Sequence, residues 1–198
     1  MQEPALTESI DQILTRRSVA IPALLEPAPS AAEIETLLTA ASRVPDHGKL
    51  APWRFVIYRP EVGRAIGRAL AALLESREGP LSEVRRDAEE KRFARSPLVI
   101  GVVSTAGPHV KISEWEQVLS AGAATMTLVH AAHALGFAAN WVTEWVAYDD
   151  EAKALLGIAP GEKVAGFVHI GTPGDKPADR PRPPLSQIVS EATAPGAA

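Results

Sequence analysis

Residues 113–136, SEWEQVLSAGAATMTLVHAAHALG, decide the architecture that we expect. Ser113 and Glu116 have the spacing of a capping box, so a helix is predicted over 114–135. Nearly every side of this helix is apolar, and a helix that is apolar all round is buried all round. Polar side chains interrupt it too often for a membrane span. We therefore predict the central helix of a core, whose small residues at 120–124 would also suit a subunit interface.

The other predicted elements surround this helix. Leu98 to Ser104 is a continuous apolar run, typical of a strand buried on both faces. Further strands are predicted at 55–58, 137–143 and 164–170, with a short strand or an extension across a neighbour at 185–189; further helices are predicted to begin at Thr7, Ser30, Pro60 and Asp149. No repeat or linker divides the chain, so one domain is expected over 1–198, with an extended polar tail at 174–198.

The composition excludes several classes of function. The 198 residues carry a net charge of −4, which argues against binding to nucleic acid or anionic membranes, because such binding depends on neutralising phosphates. The chain has no cysteine, which rules out disulfides, thiol catalysis and cysteine-held metal sites. The first ten residues lack the apolar core of a signal peptide, so a cytoplasmic protein is expected.

The loop at 43–55, RVPDHGKLAPWRF, is the first candidate for a binding site. Its two prolines stiffen the backbone, and stiff loops with converging polar groups often hold ligands. The alternative is an ordinary surface crossover with Trp53 in the core. His47 beside Asp46 resembles an oriented general base, but the same pair could instead cap the loop.

Arg16-Arg17-Ser18, directly after the first predicted helix, is the second candidate. Two guanidiniums, a hydroxyl and a backbone N–H could together grip a phosphate monoester. The simpler interpretation is a solvated cationic helix end that complements the helix dipole. Both interpretations stay open on local grounds.

Two further features carry weaker signals. His130 and His133 lie three residues apart on one helix face, a spacing that two metal ligands can share. Because no third ligand is evident and the surroundings are apolar, we predict a core or interface role and no metal site. The heavily charged segment 81–95 is predicted to form a solvated helix, with a substrate lid as the alternative.

Sequence patterns of the common catalytic sites are missing. The chain has no nucleophile elbow, no Walker-type phosphate loop and no Rossmann glycine pattern. If the protein is an enzyme, a bound cofactor is therefore expected to carry the chemistry.

Four blocks, in order, resemble the FMN-dependent nitroreductases, and within them the short NAD(P)H nitroreductases with a Pro-Asp-His loop. The blocks are Arg16-Arg17-Ser18, the stretch from Arg43 through Trp53, the stretch from Trp115 to Gly122, and the stretch from Leu135 to Thr143. Motifs at 156–160 and 164–173 also match, so the resemblance covers nearly the whole chain.

The resemblance implies an α+β fold of three layers, with a central mixed β-sheet flanked by helices. It also implies an interlocked homodimer with two FMN sites at the interface. Arg16, Arg17 and Ser18 would bind the phosphate and ribityl end of FMN, and Arg182 would reach the same phosphate.

The flavin ring would meet a different set of residues. By the resemblance, Arg43 and His47 contribute from the Pro-Asp-His loop, and Trp141-Val142-Thr143 line the flavin from the other chain. Lys49 or Arg43 would favour the reduced, anionic flavin, and Ala131 would lie near the nicotinamide site. Lys49 and Ala51 stand where many relatives carry Asn and Gln, and Val142 replaces a polar residue, so the usual contacts at the flavin edge differ here.

The implied activity is that of an FMN-dependent NAD(P)H oxidoreductase. Hydride would pass from NADH or NADPH to the flavin and, in a ping-pong cycle, to nitro, quinone or similar electron-poor acceptors. One alternative is enone reduction or reductive dehalogenation on the same scaffold. Another is a dimeric protein that holds flavin without turnover.

Overall fold

Six α-helices and five β-strands form the part of the chain that the computed structural model describes, residues 8–175 and 177–192. The helices are α1 (Glu8–Thr15), α2 (Ala31–Ala41), α3 (Pro60–Glu78), α4 (Glu83–Glu90), α5 (Glu114–Ala134) and α6 (Asp150–Leu155). The strands are β1 (Leu24–Leu25), β2 (Trp53–Tyr58), β3 (Leu98–Ser104), β4 (Ala138–Val142) and β5 (Lys163–Pro173). The predicted α+β class is confirmed.

The sheet is built around β3 and β5. On one edge β3 pairs with β2, where Val56 lies opposite Gly101, and on the other it pairs with β5, where Ile100 lies opposite Val168. The far edge of β5 takes β4 and then β1. All pairings among the described strands are antiparallel, so the implied mixed sheet is wrong for this chain. The reason is that the connections between paired strands return to the sheet at the end where they left it.

Burial of β3 on both faces creates two hydrophobic cores. Leu98, Ile100 and Val102 belong to the core with α2 and α5, whereas Val99 and Val103 belong to the core with α3 and α6. The sheet is therefore the middle of three layers, as predicted. Among the described residues, every helix falls short of the length and hydropathy that a bilayer crossing requires.

The helix starts follow local signals. Ser30 accepts a hydrogen bond from the backbone N–H of Glu33, and the Glu33 carboxylate accepts one from the Ser30 N–H at 2.7 Å, which completes the predicted capping box. Pro60 occupies the first turn of α3, where its missing N–H leaves no bond unmade. Thr7, the predicted cap of α1, lies outside the described residues.

The charged segment 81–95 differs from its prediction. It consists of α4 followed by a 3₁₀ turn at Arg92–Ala94, and Glu89 and Phe93 are buried. Phe93 joins an aromatic cluster in which its ring lies 4.9 Å from that of Tyr58. The prediction of a solvated helix is therefore wrong for the second half of the segment, which is anchored in the core. The segment contributes no wall to either cavity described below.

The tail after β5 is extended and exposed through its described part. Residues 185–187 form a 3₁₀ turn, so the predicted strand at 185–189 does not form within one chain. Leu185, Ile188 and Val189 are exposed. A strand needs a neighbouring backbone to pair with, and in the described residues this stretch has none.

Two glycines allow the charged segment to lie flush on α3. A Cβ at Gly63 would overlap the carbonyl of Phe93, and a Cβ at Gly67 would overlap the carbonyl of Glu90. Because these obstacles are backbone atoms, side-chain rotation cannot relieve the overlap. The contact therefore requires glycine at both positions.

Gly67→Ala should lower the free energy of unfolding by about 1–3 kcal/mol, the usual effect of overpacking a closed contact. Urea denaturation measures the change. Arg68→Ala, at an exposed neighbouring position of α3, is the control and should shift stability by no more than about 0.5 kcal/mol. A Gly67→Ala protein as stable as the parent would contradict the proposed close contact.

Candidate functional site

A cavity of about 410 Å³ opens where the chain after α1 meets α5 and the end of β4. Its walls combine polar, aromatic and apolar side chains: Arg16, Ser18, Met126, Val129, Trp141, Val142 and Thr143. Ser18 exposes its side chain, and Arg16 is half-buried. The fold therefore brings together two of the sequence blocks that were singled out above.

Two hydrogen bonds explain why these blocks meet. The Val19 N–H donates to the Ala139 carbonyl at 3.3 Å, and the Asn140 side-chain amide donates to the Val19 carbonyl at 2.7 Å. They fasten the segment after Ser18 along β4. Within one chain, Trp141-Val142-Thr143 share a cavity with Arg16 and Ser18. The implied contribution of Trp141-Val142-Thr143 to a flavin site from another chain stays a prediction.

Arg16, which lines this cavity, forms an arginine cluster with Arg17 and Arg182, whose charges act on it. Burial, and then the charges of Arg182 and Arg17, lower the pKa of Arg16. Arg17 pairs with Asp179 at 3.6 Å and donates to the Ala178 carbonyl, whereas Arg16 has no carboxylate partner within the described ranges. Arg16 is thus a partly desolvated cation next to like charges, and a bound anion would offset both penalties.

Trp141, Val142 and Thr143 form an uncharged part of the cavity wall. Trp141 lies across Gly166 and donates its Nε1–H to the Ala165 carbonyl at 3.1 Å. A Cβ on Gly166 would overlap the indole, so the ring needs a glycine beneath it. Tyr148 donates its hydroxyl to Thr143 Oγ1 at 3.1 Å. A cavity lined by both a cation and an aromatic ring suits a planar heterocycle that carries a phosphate.

Of the paired histidines of α5, His133 has hydrogen-bond partners for its ring, whereas the buried Nδ1 of His130 has none among the described residues. His133 Nδ1 lies 2.8 Å from the Val129 carbonyl, and its Nε2 lies 3.3 Å from the Arg17 carbonyl. His133 therefore braces the Arg16-Arg17-Ser18 block against α5. Burial, followed by the charges of Arg16 and His133, lowers the pKa of His130 and favours its neutral form.

A second cavity, of about 300 Å³, lies between the 43–55 loop and the first half of α5. At its wall, His47 Nδ1 lies 2.6 Å from Glu116 Oε1. Asp46 does not orient His47, because its carboxylate accepts hydrogen bonds from the backbone N–H groups of Leu50 and Ala51. The loop-capping interpretation of Asp46 is therefore confirmed, and its pairing with His47 as a general base is wrong.

Glu116 is a site residue that sequence reasoning missed. Ser113 accepts a hydrogen bond from the Glu116 N–H at 3.2 Å, but the carboxylate of Glu116 turns to His47 instead of returning to Ser113. The predicted capping box is thus only half formed. The spacing from Ser113 accounted for the glutamate locally, so nothing in the sequence pointed to a partner 69 residues away.

The loop is anchored to α5. Trp53 donates its Nε1–H to Ser120 Oγ at 3.1 Å, and Ser120 donates to the Pro45 carbonyl at 2.6 Å. Trp53 also packs against the core, as the crossover interpretation held. Between these anchors the backbone adopts positive φ, 69° at Gly48 and 57° at Lys49, so the loop holds a defined shape.

In a single chain, the predicted cofactor residues do not all surround one cavity. His47 borders the second cavity, while Arg43 and Lys49 are exposed on the loop and line neither cavity. Ala131 packs against the core of α2 and α5 and also lines neither. Arg182 is exposed on the tail, and its charge lowers the pKa of Arg16.

Comparisons with known proteins point in one direction. The model of the nitroreductase family matches residues 13–172. "Putative NAD(P)H nitroreductase YdjA" of Escherichia coli (strain K12) is 32% identical over 168 residues, covering 84% of this chain and 88% of that protein. A "Putative NAD(P)H nitroreductase" of Haemophilus influenzae is 37% identical over 155 residues, covering 77% and 83%. The crystal structure of "FMN and NADPH-dependent nitroreductase NfnB" from Sphigopyxis sp. strain HMH superposes with a TM-score of 0.73 at 18% identity, covering 95% and 100%.

Proposed function

Because the chain belongs to the nitroreductase family, we propose that it is an FMN-dependent oxidoreductase that uses NADH or NADPH to reduce nitro, quinone or similar electron-poor compounds. One observation carries the proposal: Arg16, Ser18 and Trp141-Val142-Thr143 meet around a single cavity. Relatives named as NAD(P)H nitroreductases, and a fold neighbour named as FMN- and NADPH-dependent, support the choice of cofactor and reductant.

The phosphate end of FMN fits the arginine cluster. Arg16 is a cation without a carboxylate partner among the described residues, and it lies on the cavity wall beside the exposed hydroxyl of Ser18. A guanidinium can donate two parallel hydrogen bonds to phosphate oxygens. Arg17 would add charge while it keeps the tail in place through Asp179.

The ring end of FMN fits the Trp141-Val142-Thr143 wall. Trp141 is fixed by its hydrogen bond to the Ala165 carbonyl and by its seat on Gly166. When bound, FMN supplies the chemistry, since it accepts a hydride from NAD(P)H and passes it to the acceptor in a ping-pong cycle. The residues of this chain would orient the ring and exclude water from one of its faces.

The site would be completed by a second copy of the chain. His47, Arg43 and Lys49 lie away from the first cavity, and α1 exposes Ile13 and Leu14, whose side chains would otherwise be expected to be buried. A homodimer would cover α1 and bring a partner loop to the flavin. This arrangement would explain why His47 and Arg16, both predicted to contact FMN, border different cavities in one chain.

The proposed activity can be tested by adding FMN to the purified protein, desalting it and recording the visible absorbance. We expect a bound flavin spectrum that is bleached by NADH or NADPH and restored by a nitro or quinone acceptor. Protein that binds no FMN would overturn the proposal. Bound FMN that NAD(P)H fails to bleach would instead indicate the non-catalytic flavin-binding alternative.

Arg16→Ala should weaken FMN binding by about 10- to 100-fold, because a charge-assisted hydrogen bond to phosphate contributes about 1.5–3 kcal/mol. Quenching of FMN fluorescence measures the dissociation constant. Arg180→Ala removes the same charge from an exposed position of the tail and serves as the control, with little change expected. Equal effects of the two variants would show that Arg16 acts only through net charge.

Replacing Ile13 and Leu14 by Asp should convert the dimer into monomers and release FMN, since charged side chains would be buried at the interface. Analytical ultracentrifugation and flavin absorbance follow the two effects. Asp11→Asn, on the same helix, should leave the dimer intact. A monomeric double variant that retained full flavin occupancy would contradict a site shared between two chains.

A further inference from the structure

Glu144 has an unusual backbone conformation next to the cofactor cavity. It follows Thr143 directly, with φ 59° and ψ 179°. This region of φ/ψ space is populated almost only by glycine, because a Cβ is crowded there by the backbone. A non-glycine residue persists in such a conformation only when its surroundings hold it.

Two arginines from the charged segment 81–95 provide that hold. Arg95 Nη2 donates to Glu144 Oε2 at 2.7 Å, and Arg92 Nη1 lies 2.8 Å from the same oxygen. Burial opposes the charge of Glu144, but hydrogen bonding to Arg95 and the charges of both arginines outweigh it and lower the pKa of Glu144. The carboxylate is therefore ionised and doubly anchored near neutral pH.

The arginines are themselves fixed. Arg92 donates from Nε and Nη2 to the two carboxylate oxygens of Glu89, at 2.7 and 2.6 Å, and Glu89 is 5% exposed. Glu89 also accepts a hydrogen bond from Trp145 Nε1 at 3.2 Å, so the residue after Glu144 is held as well. Arg95 donates its Nε–H to the Arg92 carbonyl at 3.0 Å. Glu144 is thus held by two arginines that are themselves fixed by hydrogen bonds.

The charges of this group balance, with two carboxylates and two guanidiniums. A balanced group exerts a weak field beyond its own neighbourhood, so its effect on the cofactor cavity should be geometric rather than electrostatic. What it fixes is the turn that ends β4, whose last residues line the cavity.

We propose that Arg92 and Arg95 are positioning residues, which grip the Glu144 carboxylate and so keep the Thr143–Glu144 turn in a glycine-like conformation that aims Trp141-Val142-Thr143 at the cofactor. This inference rests on the proposed function, since FMN is the probe. It assigns the 81–95 segment the role of an anchor for the site, in place of the substrate lid considered from its sequence.

Two substitutions at one position separate this role from the alternatives. E144A and E144G both remove the carboxylate and leave both arginines without it, and they differ only in the Cβ. In E144A the alanine still has a Cβ that strains this conformation, but the ion pairs that hold it are lost. FMN binding should therefore weaken by about tenfold. E144G needs no grip, because glycine adopts this conformation readily, so its affinity should stay within about threefold of the parent.

The arginines are tested in the same way. R95A should weaken FMN binding in the parent protein but add little in the E144G background, and R95K should restore part of the loss. R85A removes an arginine of the same segment whose partner is the exposed Glu78 of α3, and it should leave FMN affinity unchanged. Thermal unfolding of each apoprotein shows whether a variant is folded, and if E144A is not, the R95A comparison decides.

The outcomes distinguish the two proposals. If the parent binds FMN but E144A and E144G bind it equally, whether tightly or weakly, the positioning role is overturned and the proposed function stands. If R95A has the same effect with and without E144G, the positioning role is also overturned. A parent that binds no FMN overturns both.

Discussion

Burial of β3 on both faces is the constraint on which the rest of the structure depends. A strand that is apolar on each side needs a helical layer against each side, and α2 with α5 and α3 with α6 supply them. Once α5 lies on one face of the sheet, β4 must follow from its end and pair with β5. That pairing places Trp141-Val142-Thr143 beside the segment that follows α1. The cavity lined by Arg16 and Trp141 is thus a consequence of how the core is closed.

The central helix also explains the positions of the two cavities described above. Its first half, with Glu116 and Ser120, borders the loop that holds His47, while Met126 and Val129 border the cavity with Arg16. A helix of 21 residues is about 31 Å long, so the two cavities lie at different positions along the axis of α5. A partner chain that packs along such a helix could meet both at once.

Arg16 differs from the arginines that hold the fold together. Arg54 with Glu162, Arg77 with Asp149 and the arginines around Glu144 all have carboxylate partners. Arg16 has none in the described chain and lies on a cavity wall. In a chain with a net charge of −4, an unpaired cation beside a cavity is informative, because carboxylates outnumber the cations and yet none of those described forms a salt bridge with Arg16. The same logic gives the charged segment 81–95 a structural role, since Glu89 pairs with Arg92, and both Arg92 and Arg95 pair with Glu144.

The sequence by itself determined whatever local patterns encode: the central helix, the doubly buried strand, the Ser30 capping box, and a family resemblance that marked Arg16-Arg17-Ser18. Only the tertiary structure decided which distant groups became partners. The Glu116 carboxylate pairs with His47 and does not cap its own helix. The 81–95 segment packs against α3 at Gly63 and Gly67. Such partners are separated by many residues and are chosen by packing, so periodicity and capping rules, which act within a few residues, carry no information about them.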